Sequence, residues 1–344
     1  MIDTFQVKYP FTSFNQKQVI VEAINAYAGK NTRHLLHLKE KLLKHGIWYY
    51  HTQVFEHYGM LEVAIEDIPQ YHMSFLLIKC KPALIIHPSD EYALCTRNDY
   101  AQTVRLFSNF VGMLNGYIKG DYKLPTNILS WEIFRIDYAF GFFTEHFARY
   151  LSLLKKGYTK RRDDKYQHGF RINMRDYNIN FYDKTVRLNH DTEYKHNLRF
   201  EVQCRSRYLS RLVEKQKIEG RDLFCLWDMR LAKNIVFNRI ISVAGYCDFY
   251  DMNTASEKIC ARFHEKKATM LTNLLMDSLS PQARLARIPL IYELHTGISK
   301  KYTFKNLLPA LREVGVNLYA LPANWRLPYL PNPITIINAQ VKQK

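Results

Sequence analysis

The stretch Asn197-Leu198-Arg199-Phe200-Glu201-Val202-Gln203-Cys204-Arg205 alternates apolar and polar residues without a break. In a β-strand, residues i and i+2 point to the same side. One face therefore reads Leu198, Phe200, Val202 and Cys204, and the other reads Asn197, Arg199, Glu201, Gln203 and Arg205. The same rhythm recurs upstream. In 177–184, Tyr177, Ile179 and Phe181 oppose Asn178, Asn180, Tyr182 and Lys184. Around Arg135 and Asp137 the opposite face carries Phe134, Ile136 and Tyr138. If these strands share a sheet, the apolar faces make a core, and two acids, a tyrosine, a lysine and two arginines gather on the other side. Those are the parts for metal-assisted attack by a tyrosine on a phosphate ester.

Working outward, Thr4–Pro10, Ile47–Glu56, Met60–Ile65 and Met73–Cys80 read as further strands, and Gln16–Tyr27 and Thr32–His45 carry helical spacing. Val104, Phe107, Phe110, Val111 and Leu114 recur at threes and fours, which predicts a helix over Asn98–Ile118 with Thr96 or Asn98 as its cap. Another helix is expected from Thr144 to about Lys156. Beyond Tyr208 the spacings lengthen into helices over Leu223–Val243, Thr254–Ser278, Ala283–His295 and Thr303–Val314, the last with Pro309 inside it as a source of a kink. Leu321–Pro333 reads as an extended arm. The expected fold class is α+β: an antiparallel sheet with helices on one face in residues 1–210, followed by a mainly helical domain in 211–344.

The chain of 344 residues carries 49 Lys and Arg against 32 Asp and Glu, a formal charge of +17. That surplus points to a polyanionic partner, with nucleic acid ahead of a membrane surface, because Lys and Arg displace counterions from phosphate. No run of about 18 apolar residues exists to span a bilayer, so no membrane is expected. The start lacks the apolar core of a signal peptide. The six cysteines are scattered without a C-x-x-C and read as thiols in a reducing cytoplasm. Lys155–Arg175 interleaves Lys160, Arg161, Arg162, Arg171 and Arg175 with Tyr158, Tyr166 and Phe170. Aromatics among cations suit single-stranded nucleic acid; a solvated basic hairpin is the competing reading.

The chemistry follows from the residue types. A phosphodiester repels nucleophiles, and a divalent ion on a non-bridging oxygen reduces that repulsion. Asp137 and Glu201 on facing strands are candidate ligands for Mg²⁺ or Mn²⁺, which prefer carboxylate oxygen. Tyr182 is the candidate nucleophile, and Lys184 would stabilise developing charge. Arg135 and Arg199 would clamp a phosphate or the carboxylates themselves. An Arg and an acid two apart on one strand also commonly form a structural ion pair, so both readings stand at this level.

At these residues the chain resembles the filamentous-phage gene II replication initiators, a phage and plasmid family of rolling-circle nicking proteins. The likeness runs through Met1-Ile2-Asp3, Ile78-Lys79-Cys80-Lys81-Pro82-Ala83, Phe134-Arg135-Ile136-Asp137, Phe181-Tyr182-Asp183-Lys184, and Leu198-Arg199-Phe200-Glu201 ending in Arg207-Tyr208-Leu209. Asp222–Trp227 and Leu307–Gly315 extend it into the second half. The resemblance implies an HUH-like nuclease domain in which a single tyrosine nicks one strand of origin DNA, single-stranded or supercoiled duplex, and stays on the 5′ phosphate. It also implies a host helicase and replication machinery as partners, in a bacterial cytoplasm. Two departures stand out. No His-x-His triplet occurs among the 13 histidines, so the double-histidine metal site of HUH enzymes is missing. The family's Gly-His-Asn loop corresponds to Ile86-His87-Pro88-Ser89, which keeps the histidine and makes His87 a candidate third ligand or phosphate contact, with a structural histidine as the competing reading. Two rivals share the sequence features: a DNA-binding protein with a silent site, and a metal-free tyrosine recombinase, although the Arg-His-Arg cluster of the latter is not found.

Overall fold

The computed structural model describes residues 1–31, 39–42, 46–157, 162–163, 168–188, 195–280, 283 and 288–342. Twelve strands occur among them: β1 Ile2–Pro10, β2 Lys39–Leu42, β3 Trp48–Thr52, β4 Met60–Ile68, β5 Met73–Cys80, β6 Glu132–Thr144, β7 Arg162–Asp163, β8 Gly169–Asn173, β9 Tyr177–Asp183, β10 His196–Arg205, β11 Phe249–Tyr250 and β12 Tyr329–Leu330. Hydrogen bonding orders ten of them as β2-β3-β4-β5-β1-β6-β10-β9-β8-β7, and β11 pairs with β12. The fold is the expected α+β arrangement with an antiparallel sheet and a helical C-terminal part.

The chain forms two compact units that interleave along the sequence: residues 1–139, 175–178 and 201–234 make the first, and 140–174, 179–200 and 235–344 the second. The expected boundary at 210/211 falls inside the helix Ser206–Gln216.

In the first unit β1 runs antiparallel to both β5 and β6, with Thr4 opposite Asp137 and Gln6 opposite Arg135. Irregularities in register between Ile2 and Thr4 and between Gln6 and Val7 mark bulges in β1. The helices Phe14–Asn31 and Tyr100–Tyr117 bury Ile20, Ile24, Phe107, Phe110, Val111 and Leu114. Phe55 ties them together, with its ring 4.7 Å from Tyr27 and 5.2 Å from Phe110. Of the two predicted caps, Thr96 opens the short 3₁₀ turn Arg97–Asp99 that leads into the second helix, and its N–H and hydroxyl both donate to Asp99 Oδ2, at 2.6 and 2.9 Å. Residues 39–42, expected as helix, are strand instead: Lys39–Leu42 pairs antiparallel with Trp48–His51. Pairing with an aromatic, β-favouring neighbour overrides the helical spacing there.

In the second unit the Phe181 ring stacks on Phe170 at 4.8 Å and meets Phe200 edge to face at 4.1 Å. The helix Phe147–Gly157 ends against Val243: a Cβ on Gly157 would lie 1.8 Å from the Val243 carbonyl oxygen. The helix expected over Thr254–Ser278 is two, Met252–Cys260 and Glu265–Ser278. The stretch Thr303–Val314 keeps its helical course, but a π-helical turn, Thr303–Leu307, precedes the helix Leu308–Glu313. Pro309 near the start of that helix has no N–H to give to the preceding turn, so the ladder widens there instead of breaking. Across both units, the helix expected over Leu223–Val243 is likewise a short turn, Leu223–Leu226, and then Met229–Ala244. Asp228 interrupts it by accepting from the backbone of Arg230 and Leu231 at 2.6 and 2.9 Å.

Candidate active site

In the first unit the acids sit on a sheet whose polar face is itself buried. Asp137 is 1% exposed and Glu201 4%. Asp137 accepts from Arg135 twice, from Nε at 2.7 Å and from Nη2 at 2.5 Å, and from the Thr4 hydroxyl across β1. The fork of a guanidinium onto one carboxylate is the strong, geometry-fixing kind of ion pair. Burial opposes the Arg135 charge, but Asp137, with Glu201 and Asp3 further off, more than offsets it and holds the guanidinium above its ordinary pKa. Glu201 is different. Burial, then the charges of Asp137 and Asp3, push its carboxyl up to about 7, against the lowering effect of Gln203 and Arg135. The Gln203 side-chain amide donates to Glu201 Oε1 at 2.6 Å, and Asn178 donates to Gln203 Oε1 at 3.3 Å.

Asp137 and Glu201 meet protein donors here. Asp137 already accepts three hydrogen bonds, two of them from the positively charged Arg135 guanidinium and one from Thr4. Among the described residues no group of three or more His, Cys, Asp and Glu side chains gathers in a ligating arrangement. His87 is 3.2 Å from Asp99, the residue that closes the capping box of the short 3₁₀ turn Arg97–Asp99.

In the second unit Tyr182 is half-buried near the end of β9. The strand stops at Asp183, so Lys184 does not continue the tyrosine's face as the alternation predicted. Instead Lys184–Arg187 is a helical turn, and Asp183 is its cap: Oδ1 accepts from Thr185 N at 3.0 Å and Val186 N at 3.4 Å. Asp183 Oδ2 receives the ring Nδ1 of His196. The His196 ring also stacks on Phe147 at 5.5 Å. The turn brings the Arg187 guanidinium 5.1 Å from the Tyr182 ring centre. Lys184 is buried at 6% exposure. Gly169 on β8 lies so close that a Cβ there would come within 2.2 Å of the Phe181 carbonyl and 2.9 Å of Tyr182 Cα and Cβ.

Arg199 is 1% exposed, beside Gly141, where a Cβ would lie 3.2 Å from its Nε. Arg171 is half-buried and Arg175 exposed. Arg162 belongs to β7, paired with Ile172 of β8. Lys160 and Arg161 lie outside the described residues.

Five residues with clear roles in this geometry had no reading from sequence: Asp3, Asp183, Arg187, His196 and Gly169. Asp183 carried a usable signal, since an Asp directly before Lys184-Thr185-Val186-Arg187 is a standard cap position. His196, 13 residues further on, carried none.

Burial, the largest cause in each case, pushes the phenols of Tyr27 and Tyr329 up to about 12, and those of Tyr49, Tyr138 and Tyr150 up as well. No helix among the described residues is long and apolar enough to cross a membrane.

No family model matches this chain, and no curated protein matches it. Among solved structures it is similar to a rolling circle replication initiator protein from Geobacillus stearothermophilus, with 14% identity over 63% of this chain and 78% of that one, at a TM-score of 0.29. At that score the superposition does not define the topology, and the fold rests on the strand pairing itself.

Proposed function

We propose that this chain is a DNA strand-nicking enzyme of the rolling-circle initiator type, with Tyr182 as its nucleophile. The observation that carries the proposal is the end of β9. There a half-buried tyrosine is followed by a capped helical turn that sets the Arg187 guanidinium 5.1 Å from its ring. A cation beside a phenol favours its charged form and the charge of an arriving phosphate. In the reaction, a bond forms between the Tyr182 oxygen and phosphorus while the bond to the 3′ oxygen breaks. The phenol proton leaves to solvent and the 3′ oxygen takes one up, so the strand ends as a 5′-phosphotyrosine and a free 3′ hydroxyl. Reversal of the same step rejoins DNA. On this reading the DNA is a replication origin, and a host helicase and polymerase act on the nicked product.

Incubating the protein with supercoiled origin DNA and recovering nicked circles with protein attached tests the proposal. Tyr182→Phe should abolish the adduct and leave DNA binding intact. An adduct that persists in that variant rejects Tyr182, and DNA binding without any nicking identifies a silent site.

One observation favours a second version of the chemistry, in which no metal takes part. Arg135 occupies Asp137, and Mg²⁺ or Mn²⁺ would have to displace that guanidinium to use the carboxylate. Cleavage that continues in a chelator supports the metal-free version. Cleavage restored by Mn²⁺ after chelation, and lost in Asp137→Ala, supports a cation held by Asp137 and Glu201.

A further inference from the structure

The helix Ser206–Gln216, in the first unit, carries a charged stripe that the cleavage chemistry does not use. Leu209 and Leu212 face the core, and Arg207, Arg211 and Lys215 recur every fourth residue on an exposed face. Residues 203–217 hold five cations, Arg205, Arg207, Arg211, Lys215 and Lys217, against Glu214 alone. An exposed cationic stripe is often a solvated surface and nothing more. Here a second feature sets it apart. Asp176, 8% exposed, sits beneath the stripe and grips two of its arginines: Arg211 Nη1 reaches Asp176 Oδ2, and Arg207 Nε lies 3.5 Å from Oδ1. The backbone of Arg205 donates to the Asp176 carbonyl at 3.1 Å, which fixes β10 against the same point.

We infer that this stripe is a docking surface for the phosphate backbone of DNA, separate from the residues that carry out cleavage. A guanidinium held by a buried carboxylate keeps its remaining N–H donors pointed outward and loses little freedom when a phosphate arrives. From Arg207 to Lys215 the helix rises about 12 Å, at about 1.5 Å per residue. That length matches about three to four nucleotides of one strand, at roughly 3.4 Å each. Exposed Arg175, one residue before Asp176, adds a further cation beside the stripe. The inference deepens the nicking proposal by naming a surface that would hold the DNA during cleavage.

The test is the salt dependence of binding by the full chain, measured on duplex and single-stranded oligonucleotides. Each phosphate contact removed should lower the magnitude of the slope of log K against log salt by about 0.9 on duplex and about 0.7 on a single strand. Arg207→Gln, Arg211→Gln and Lys215→Gln together should therefore lower it by about 2.7 on duplex. The arm that shows the larger change identifies the strand form that docks. Because Arg211→Gln unpairs a buried acid, Lys215→Gln and Arg207→Gln are also measured singly, with thermal unfolding confirming the fold. An unchanged slope overturns the inference. So does an equal change from Lys266→Gln and Lys301→Gln, which are exposed on other helices of the chain. Adduct formation, assayed separately at saturating DNA, keeps the two readings apart. A wild-type protein that forms no adduct overturns the Tyr182 proposal and leaves the salt-slope test standing.

Discussion

Asp183 does two jobs with two oxygens, and substitutions separate them. Oδ1 caps the Lys184–Arg187 turn, and Oδ2 holds His196. Asp183→Ala loses both. A lost cap costs about 1 kcal/mol, and a lost hydrogen bond to a charged group costs about 1.5–3 kcal/mol. The upper part of that second range applies here, because the Asp183 side chain is 0% exposed even though His196 is 28% exposed. Asp183→Ala should therefore destabilise by about 3–4 kcal/mol, combining those two costs. Asp183→Asn keeps a capping oxygen, and asparagine caps as well as aspartate, so it should cost about 1 kcal/mol less than alanine. In a cycle with His196→Ala, the double variant should be less destabilised than the sum of the singles, by at least about 1 kcal/mol for residues in direct contact. Denaturant unfolding with unchanged slope supplies these numbers. Asparagine as damaging as alanine, or a coupling of zero, would refute the two-oxygen reasoning. The same series reports on Tyr182: once the turn unwinds, Arg187 leaves the tyrosine ring, and adduct formation should fall more in Asp183→Ala than in Asp183→Asn.

Three further outcomes follow from single positions. Gly169→Ala places a methyl against the backbone of Phe181 and Tyr182, which cannot swing aside; overpacking should cost about 1–3 kcal/mol and displace Tyr182, so adduct yield should drop even where thermal unfolding shows the protein still folded. Arg135→Ala leaves Asp137 buried without its guanidinium and should destabilise by about 3–5 kcal/mol, whereas Asp137→Asn with Arg135→Gln should recover part of that loss. Glu201 gives a pH signature: its folded pKa, raised from 4.5 to about 7, means the folded state keeps a proton that the unfolded state releases. Stability should therefore fall as pH rises through that window, and Glu201→Gln should flatten the fall, as read from unfolding midpoints across pH.

The sheet was legible because alternation is a local signal. Every residue of the apolar face of β10 proposed from sequence is buried, and β6, β9 and β10 are consecutive in the strand order apart from their sequence numbering. What alternation could not reveal is where a strand stops. The rhythm that paired Tyr182 with Lys184 runs one residue past the end of β9, and the capping chemistry of Asp183 turns the lysine into a helical turn. Residues 39–42 failed for a related reason, since spacing that suits a helix lost to the strand Trp48–His51 just downstream.

The acids posed a different problem. Arginine and acid two apart on a strand were compatible with either a structural pair or a site, and the deciding fact is nonlocal: Thr4, 133 residues away in sequence, joins Arg135 on Asp137. A carboxylate that already accepts from a guanidinium fork and a hydroxyl is a weak ligand for a second cation. A neighbouring Glu201 is pushed up to about 7 by its burial and then by the negative charges of Asp137 and Asp3. Burial of both faces of β10 explains this outcome. Once Asn197, Arg199 and Glu201 on β10 and Asp137 on β6 are as enclosed as Leu198 and Phe200, each charge must be answered from within the protein, and Arg135 is the answer for Asp137. In the nicking reaction proposed above, a role for a cation would turn on whether Arg135 can be displaced, and comparing Mn²⁺-stimulated cleavage in wild type with that in Arg135→Gln measures it directly: removal of the competitor should increase the stimulation, and a variant indifferent to Mn²⁺ would establish that the acids hold the fold and not a cation.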